Sequence, residues 1–237
     1  MPIEFLIFLT VFTPALVGGL NLIFNKKPNV RDNVTLLGAL ITFYFSANIF
    51  LSFDGQVTQY KLATIMPGID ISFHIEPLGI IFSLLASGLW ILTHIYAIGY
   101  MRGAKEKNHS RFFLFFSVSI ASVMGISFSA NLFTLFLFYE LLTLITFPLV
   151  SHKGSTEALR GARVYLSILL GTSIGLQLLG IIWIYFSVGT LDFVKGGILN
   201  GSFGSLELIL LVGLFAFGIG PALATSMLIL GRLFSKQ

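Results

Sequence analysis

The stretch FLFYELLTLITFP, Phe136–Pro148, sets one carboxyl group, Glu140, in the middle of an otherwise apolar run. Its meaning depends on the solvent around that run. The chain has 237 residues, 56% of them hydrophobic and 10% charged, with a mean hydropathy of +0.94. A water-soluble domain carries about a quarter charged residues on its surface. This chain is too poor in polar surface for water, so its solvent is lipid. In that solvent Glu140 is costly, because a charged carboxylate at the centre of a membrane helix is unfavourable by about 2.5–3.5 kcal/mol on insertion scales. It must face protein or internal water, be paired, or be protonated for part of a cycle. Two readings follow: a packing glutamate hydrogen-bonded to a neighbouring helix, or a proton relay or ion site, since burial favours the protonated form of a carboxyl group.

At about 20 apolar residues per span, the sequence predicts an all-α, polytopic membrane protein of seven helices. They run over residues 3–24, 32–53, 77–101, 112–129, 131–150, 161–188 and 206–231, forming a single transmembrane domain over 1–237. The loop 54–76 contains a Pro-Gly pair and the alternating ISFHI, which predict a short hairpin on the membrane surface. Basic residues divide sharply between the two sides. One side collects Lys26, Lys27, Arg31, Arg102, Lys105, Lys107, Arg111, Lys153, Arg160, Arg163, Arg232 and Lys236, and the other only Lys61 and Lys195. Glu4, Asp54, Asp70, Glu76, Asp192 and Glu207 lie on the side poor in Lys and Arg. The positive-inside rule then places the N-terminus outside and the C-terminus in the cytoplasm, in a multi-pass protein of the cell membrane.

The sequence contains no cysteine, which excludes disulfides, thiolate metal sites and iron–sulfur centres built from this chain. It offers no cofactor fingerprint and no His and carboxylate cluster at metal spacing. No catalytic centre, cofactor or nucleic-acid site is therefore expected, and the basic pI reflects loops between spans. The N-terminal MPIEFLIFLTVFTPALVGGL lacks the basic region and cleavage site of a signal peptide and is expected to be a retained first span.

Other polar residues within spans carry two readings each. His94, in WILTHIYAIGY, suits a relay by its ordinary pKa or a hydrogen-bonded helix interface. Gln177, with Ser167, Thr172 and Ser173, suits a wet path or the polar glue between membrane helices. Pro221, with Gly213, Gly218 and Gly220, suggests a broken seventh helix near a midplane ion site, or a kinked packing helix. Ser155 followed by Glu157 and Ala158 suits a helix start, with His152, Lys153, Arg160 and Arg163 as proton carriers or snorkelling anchors.

Three segments carry a family resemblance: PLGIIFSLLASGLWILTHIYAIGYM (77–101), the run from RFFLFF to RGARVYL (111–166), and GTLDF (189–193). They resemble the antiporter-like membrane subunits of Mrp-type cation/proton antiporters, of respiratory complex I and of membrane-bound hydrogenase-type complexes. The resemblance implies that Glu140 matches the family's fifth-helix ion-translocation glutamate. It implies partners in other, antiporter-like membrane subunits, and H+ or Na+ as the ion moved through the bilayer. The family pairs its glutamate with a lysine in a stretch resembling FGIKAALFPLHFWLP, whereas this chain reads FGIGPALATSMLILG over 217–231, with no lysine. The resemblance therefore implies a short version lacking the family's second, inverted half. Two functions remain open: a subunit of a cation/proton antiporter or redox-driven pump that contributes a path through Glu140, and a truncated scaffold that assembles the membrane arm without moving ions. A retinal protein is excluded, because its Schiff base requires a lysine in the seventh span.

Overall fold

The computed structural model describes residues 3–56, 58–199 and 203–234, with side chains as far as residue 220. Its helices are α1 (Ile3–Ile23), α2 (Pro28–Ser52), α3 (Pro77–Gly103), α4 (His109–Ser127), α5 (Leu132–Val150), α6 (Thr156–Thr172), α7 (Leu178–Val188) and α8 (Ser205–Phe234). A π-helical turn, Ser173–Gln177, joins α6 and α7 into one span, Thr156–Val188. Among the described residues six helices are long and apolar enough to cross a membrane, and α8 supplies a further apolar helix.

Several helix starts follow from capping chemistry. The second helix begins at Pro28 rather than at residue 32, because proline's fixed φ suits the first turn and its missing N–H costs nothing there. That extension brings Arg31 inside the helix, next to Asp32. Asn131 caps α5, its side chain accepting from the Thr134 N–H at 2.7 Å, and Ser155 caps α6 by accepting from the Ala158 N–H at 3.1 Å. Gly189, with φ of +80°, ends α7 in the left-handed conformation.

The expected break in the last helix is corrected: α8 runs as one helix from Ser205 to Phe234, through Gly218, Gly220 and Pro221. The side chain of Pro221 lies outside the described residues. The irregularity sits instead in the sixth span. There Thr172 donates to the Ile168 and Leu169 carbonyls at 3.0 and 3.1 Å, and Ser173 donates to the Leu169 carbonyl at 2.9 Å. Hydroxyls that back-bond to the preceding turn compete with the amides for those carbonyls and bend helices.

Helices α1 to α4 form one bundle, in which α1 packs on α2 and α4, and α3 on α2 and α4. Helix α5 packs on the outside of α4, then α6, and α8 packs on α6 and the π turn. One end of the bundle is closed by a hairpin, β1 (Gln59–Met66) antiparallel to β2 (Ile69–His74), turning at Pro67-Gly68 where Gly68 has φ of +77°. Strand β1 is exposed. The free edge of β2 is consumed by the α4–α5 connection: the His74 N–H donates to the Phe128 carbonyl at 2.8 Å and the Ala130 N–H to the Ser72 carbonyl at 3.0 Å. Phe73 and Ile75 drop into a core with Leu6, Ile7, Val11, Ile49, Met124 and Phe138. A hairpin edge paired in this way has no unsatisfied amides to offer lipid.

Close packing at this end fixes one glycine. A Cβ on Gly79 would stand 2.1 Å from the Ser127 carbonyl oxygen, a backbone atom at the end of α4 that cannot swing aside. Gly79→Ala is expected to destabilise the fold by about 1–3 kcal/mol through overpacking. Gly99→Ala, which meets nothing within 4 Å, should leave the melting temperature in detergent unchanged or raised. His74 supplies a second test. Burial holds its pKa below 6.5, with Glu76 and Asp192 opposing. Such a histidine protonates first in the unfolded chain, so its contribution is intact above pH 6.5 and is lost as pH falls through the depressed value. The melting temperature should therefore fall on acidification below pH 6.5, and less steeply in His74→Gln.

Candidate functional site

Glu140 projects from α5 toward the sixth span. Its residue is half-buried, yet both carboxyl oxygens are shielded from solvent and neither has a hydrogen-bond partner. Ser173, the first residue of the π turn, is the neighbour within reach of the carboxyl group, although its hydroxyl is spent on the Leu169 carbonyl. Gln177 lies one turn further along. It is 1% exposed, and its Oε1 also lacks a partner. On the far side of the π turn stands α8: a Cβ on Gly218 would meet the Gln177 amide nitrogen and Cβ at 2.9 Å. The π turn therefore packs closely against the last helix. Polar groups with open hydrogen-bonding capacity collect there inside an apolar span, and π turns of this kind recur at functional sites.

His94 belongs elsewhere. It sits on α3 within the α1–α4 bundle, fully buried, with Nε2 at 3.1 Å from the Asp32 carbonyl and its ring edge-on to Phe113 at 4.9 Å. Above it is a buried ion network around Asp32, whose arginines the sequence shows only as part of the basic side. Arg31 donates from Nε and Nη2 to Asp32 Oδ1 at 2.8 and 2.7 Å, and Arg102 donates from Nη2 to Asp32 Oδ2 at 2.5 Å. Arg31 also reaches Ser110 at 3.3 Å and lies over the Phe113 ring at 5.3 Å. One carboxylate thus joins the N-terminal turn of α2 to the last turn of α3, and Arg31 carries the tie to α4. The visible signal was Pro28, which starts α2 early enough to place Arg31 on the helix beside Asp32.

Of the residues singled out in the sequence, Ser173 and Gln177 both fall in the π turn, and Ser173 is the one that neighbours Glu140. His94 is placed in the other bundle, and Pro221 contributes backbone to α8. His152 sits just beyond α5 with both ring nitrogens unpartnered. Burial and then the Arg111 charge hold its pKa below the ordinary histidine value. Among the described residues no group of three or more His, Asp or Glu could hold a metal ion.

Comparison with known proteins gives a consistent set. The family described as NADH-ubiquinone oxidoreductase (complex I), chain 5 N-terminus, matches residues 66–113. The putative antiporter subunit mnhD2 of Staphylococcus epidermidis is 32% identical over 192 residues, covering 79% of this chain and 37% of that protein. The chloroplastic NAD(P)H-quinone oxidoreductase subunit 5 of Ipomoea purpurea is 29% identical over 221 residues, covering 86% of this chain and 30% of that one. The chain thus spans about a third of the length of these relatives. Its fold matches a chain of the membrane-bound sulfane sulfur reductase, an archaeal respiratory membrane complex, with a TM-score of 0.75 at 20% identity over 90% of this chain and 33% of that chain. It matches a chain of the Mrp complex from Dietzia sp. with the same TM-score at 14% identity, over 90% of this chain and 23% of that one.

The Asp32 network makes a direct prediction. Asp32 and Arg31 side chains are each 4% exposed. Removing the carboxylate charge leaves Arg31 buried without its counter-ion, a loss of about 3–5 kcal/mol. Asp32→Asn should therefore lower the melting temperature sharply. Arg102→Gln, at a position 44% exposed, should cost much less.

Proposed function

We propose, from the premise that this chain is homologous to the antiporter-like membrane subunits of Mrp-type and complex I-type assemblies, that it is an integral-membrane subunit of a multisubunit ion-translocating complex. In this reading Glu140 lies on its proton or sodium path. The observation that carries the reading is the Glu140 carboxyl group, withdrawn from solvent with both oxygens unpartnered beside a π turn. A permanent packing role would call for donors on those oxygens, because leaving a buried acceptor unsatisfied costs about 1–3 kcal/mol or more for charged groups. A group that takes up and releases a proton or cation is instead left with coordination free for it. Ser173 of the π turn neighbours it, and the π turn makes the span locally adjustable. The basic end of the bundle, where α2 starts and α3 ends, is the cytoplasmic face in this proposal. The partners are other membrane subunits, and the site of action is the cell membrane.

A scaffold reading draws on a different observation. Gly220 stands where the resembling family stretch carries lysine, so Glu140 has no cation on α8 at that position. The same position is open, since a Cβ on Gly220 meets nothing within 4 Å.

Glu140→Gln separates the two readings, because it keeps the shape and removes the titrating group. In sealed vesicles containing the intact complex, ion transport should fall by about 100-fold or more, the scale of losing a proton-transferring side chain. Assembly, followed by co-purification of the other subunits, should be unchanged. Normal transport with normal assembly would remove the path through Glu140 and leave the scaffold.

A further inference from the structure

The interior of the α1–α4 bundle contains a second set of unpartnered polar atoms, separate from Glu140. Buried hydroxyls in this bundle mostly donate to a carbonyl of their own helix, as Thr10 does to Leu6, Thr42 to Gly38 and Ser87 to Ser83, at 2.7–2.8 Å. Ser117, fully buried on α4, does not, and its Oγ has no partner. Trp90 Nε1, His94 Nδ1 and Asn21 Nδ2 are likewise unpartnered, in residues 0–1% exposed.

These four residues are linked through neighbouring contacts that run across α1–α4. Asn21 of α1 accepts at Oδ1 from the Thr35 hydroxyl of α2 at 2.7 Å. Asp32, three residues before Thr35, presents its carbonyl to His94 of α3. The His94 ring meets Phe113 of α4, one turn from Ser117. Ser117 in turn abuts α1, its Cβ lying 3.2 Å from where a Gly18 Cβ would stand, and Gly18 is one turn from Asn21. Trp90 lies one turn from His94 on the same face of α3.

The chemistry of the free atoms selects the occupant. A carbonyl only accepts, so His94 donates through Nε2 to Asp32, and its neutral ring leaves Nδ1 as an acceptor. Trp90 Nε1 and Asn21 Nδ2 are donors, and Ser117 does either. A cation is refused by two N–H donors, whereas a water oxygen accepts from them and its hydrogens satisfy an acceptor such as Nδ1.

We propose that a water molecule is bound inside the α1–α4 bundle by Trp90, His94, Ser117 and Asn21, accepting from the indole and amide N–H groups and donating to His94 Nδ1. This site is independent of the path assigned to Glu140.

The chain contains two tryptophans, so Trp183→Phe isolates Trp90 for ultraviolet resonance Raman spectroscopy of the full chain in lipid nanodiscs. If Trp183→Phe fails to fold, the difference between wild type and Trp90→Phe gives the same signal. The expected result is an indole N–H mode at the hydrogen-bonded position, exchanging in D2O and retained in Ser117→Ala. An indole mode at the free N–H position overturns the proposal. So does a bond lost in Ser117→Ala, which would make the serine hydroxyl itself the acceptor.

Discussion

Asp32 is the point on which the α1–α4 bundle turns. Its carboxylate holds Arg31 and Arg102, and its backbone carbonyl holds His94. Through these bonds and the Arg31–Ser110 contact, three helices meet at one buried group. In lipid, charges at a helix end must find each other or reach the interface, since the hydrocarbon gives them nothing. A buried ion pair of this kind adds little net stability over an apolar substitute. It does fix which helix ends lie together, and that fixes the depth at which His94, Trp90 and Ser117 sit below it.

The other end of the bundle solves the same problem without charge. The hairpin edge, the α4–α5 connection and GTLDF exchange backbone hydrogen bonds: the Leu132 N–H donates to the Leu191 carbonyl and the Phe193 N–H to the Ala130 carbonyl, both at 3.0 Å. Asn131 adds side-chain bonds to Ser72 and to the Asp70 carbonyl at 2.9 and 2.8 Å. Irregular backbone is tolerated at a membrane boundary only when its amides are satisfied within the protein. The segment 189–193, far from α5 in sequence, is tied to its first turn in this way. The sixth span is thereby clamped at its lower end against α5, while its middle carries the π turn. A span fixed at one end and irregular at its centre can change its turn geometry without leaving its neighbours.

The spans were legible because hydropathy over some 20 residues is a sum in which single errors cancel. The hairpin was legible for a local reason, since Pro67-Gly68 between alternating residues is a turn with its own chemistry. Glu140 was visible as an ionisable group where none is cheap. The features that escaped are those set by neighbours. Gly213, Gly218, Gly220 and Pro221 looked like a helix break, yet α8 is helical across them, and Gly218 serves the close approach to Gln177 instead. The break in regularity appeared at Thr172 and Ser173, whose hydroxyl bonds have no signature in composition. The role of Asp32 escaped because nothing in composition shows that Arg31, Arg102 and His94 converge on it.

The two polar interiors differ in a way that bears on their roles. Around His94 every charged group is already matched: Asp32 has two arginines, and Arg31 has Asp32, Ser110 and the Phe113 ring. The free capacity there belongs to neutral atoms, Trp90 Nε1, Asn21 Nδ2, Ser117 Oγ and His94 Nδ1, so the site suits a neutral guest. Around Glu140 the free capacity belongs to the two oxygens of the carboxyl group itself. Both are acceptors when the carboxyl is ionised, and acceptors in low dielectric call for a proton, a cation or a donor side chain. Gly220 leaves room on α8 but brings no charge of its own. A proton meets that demand by turning one of the two oxygens into a donor.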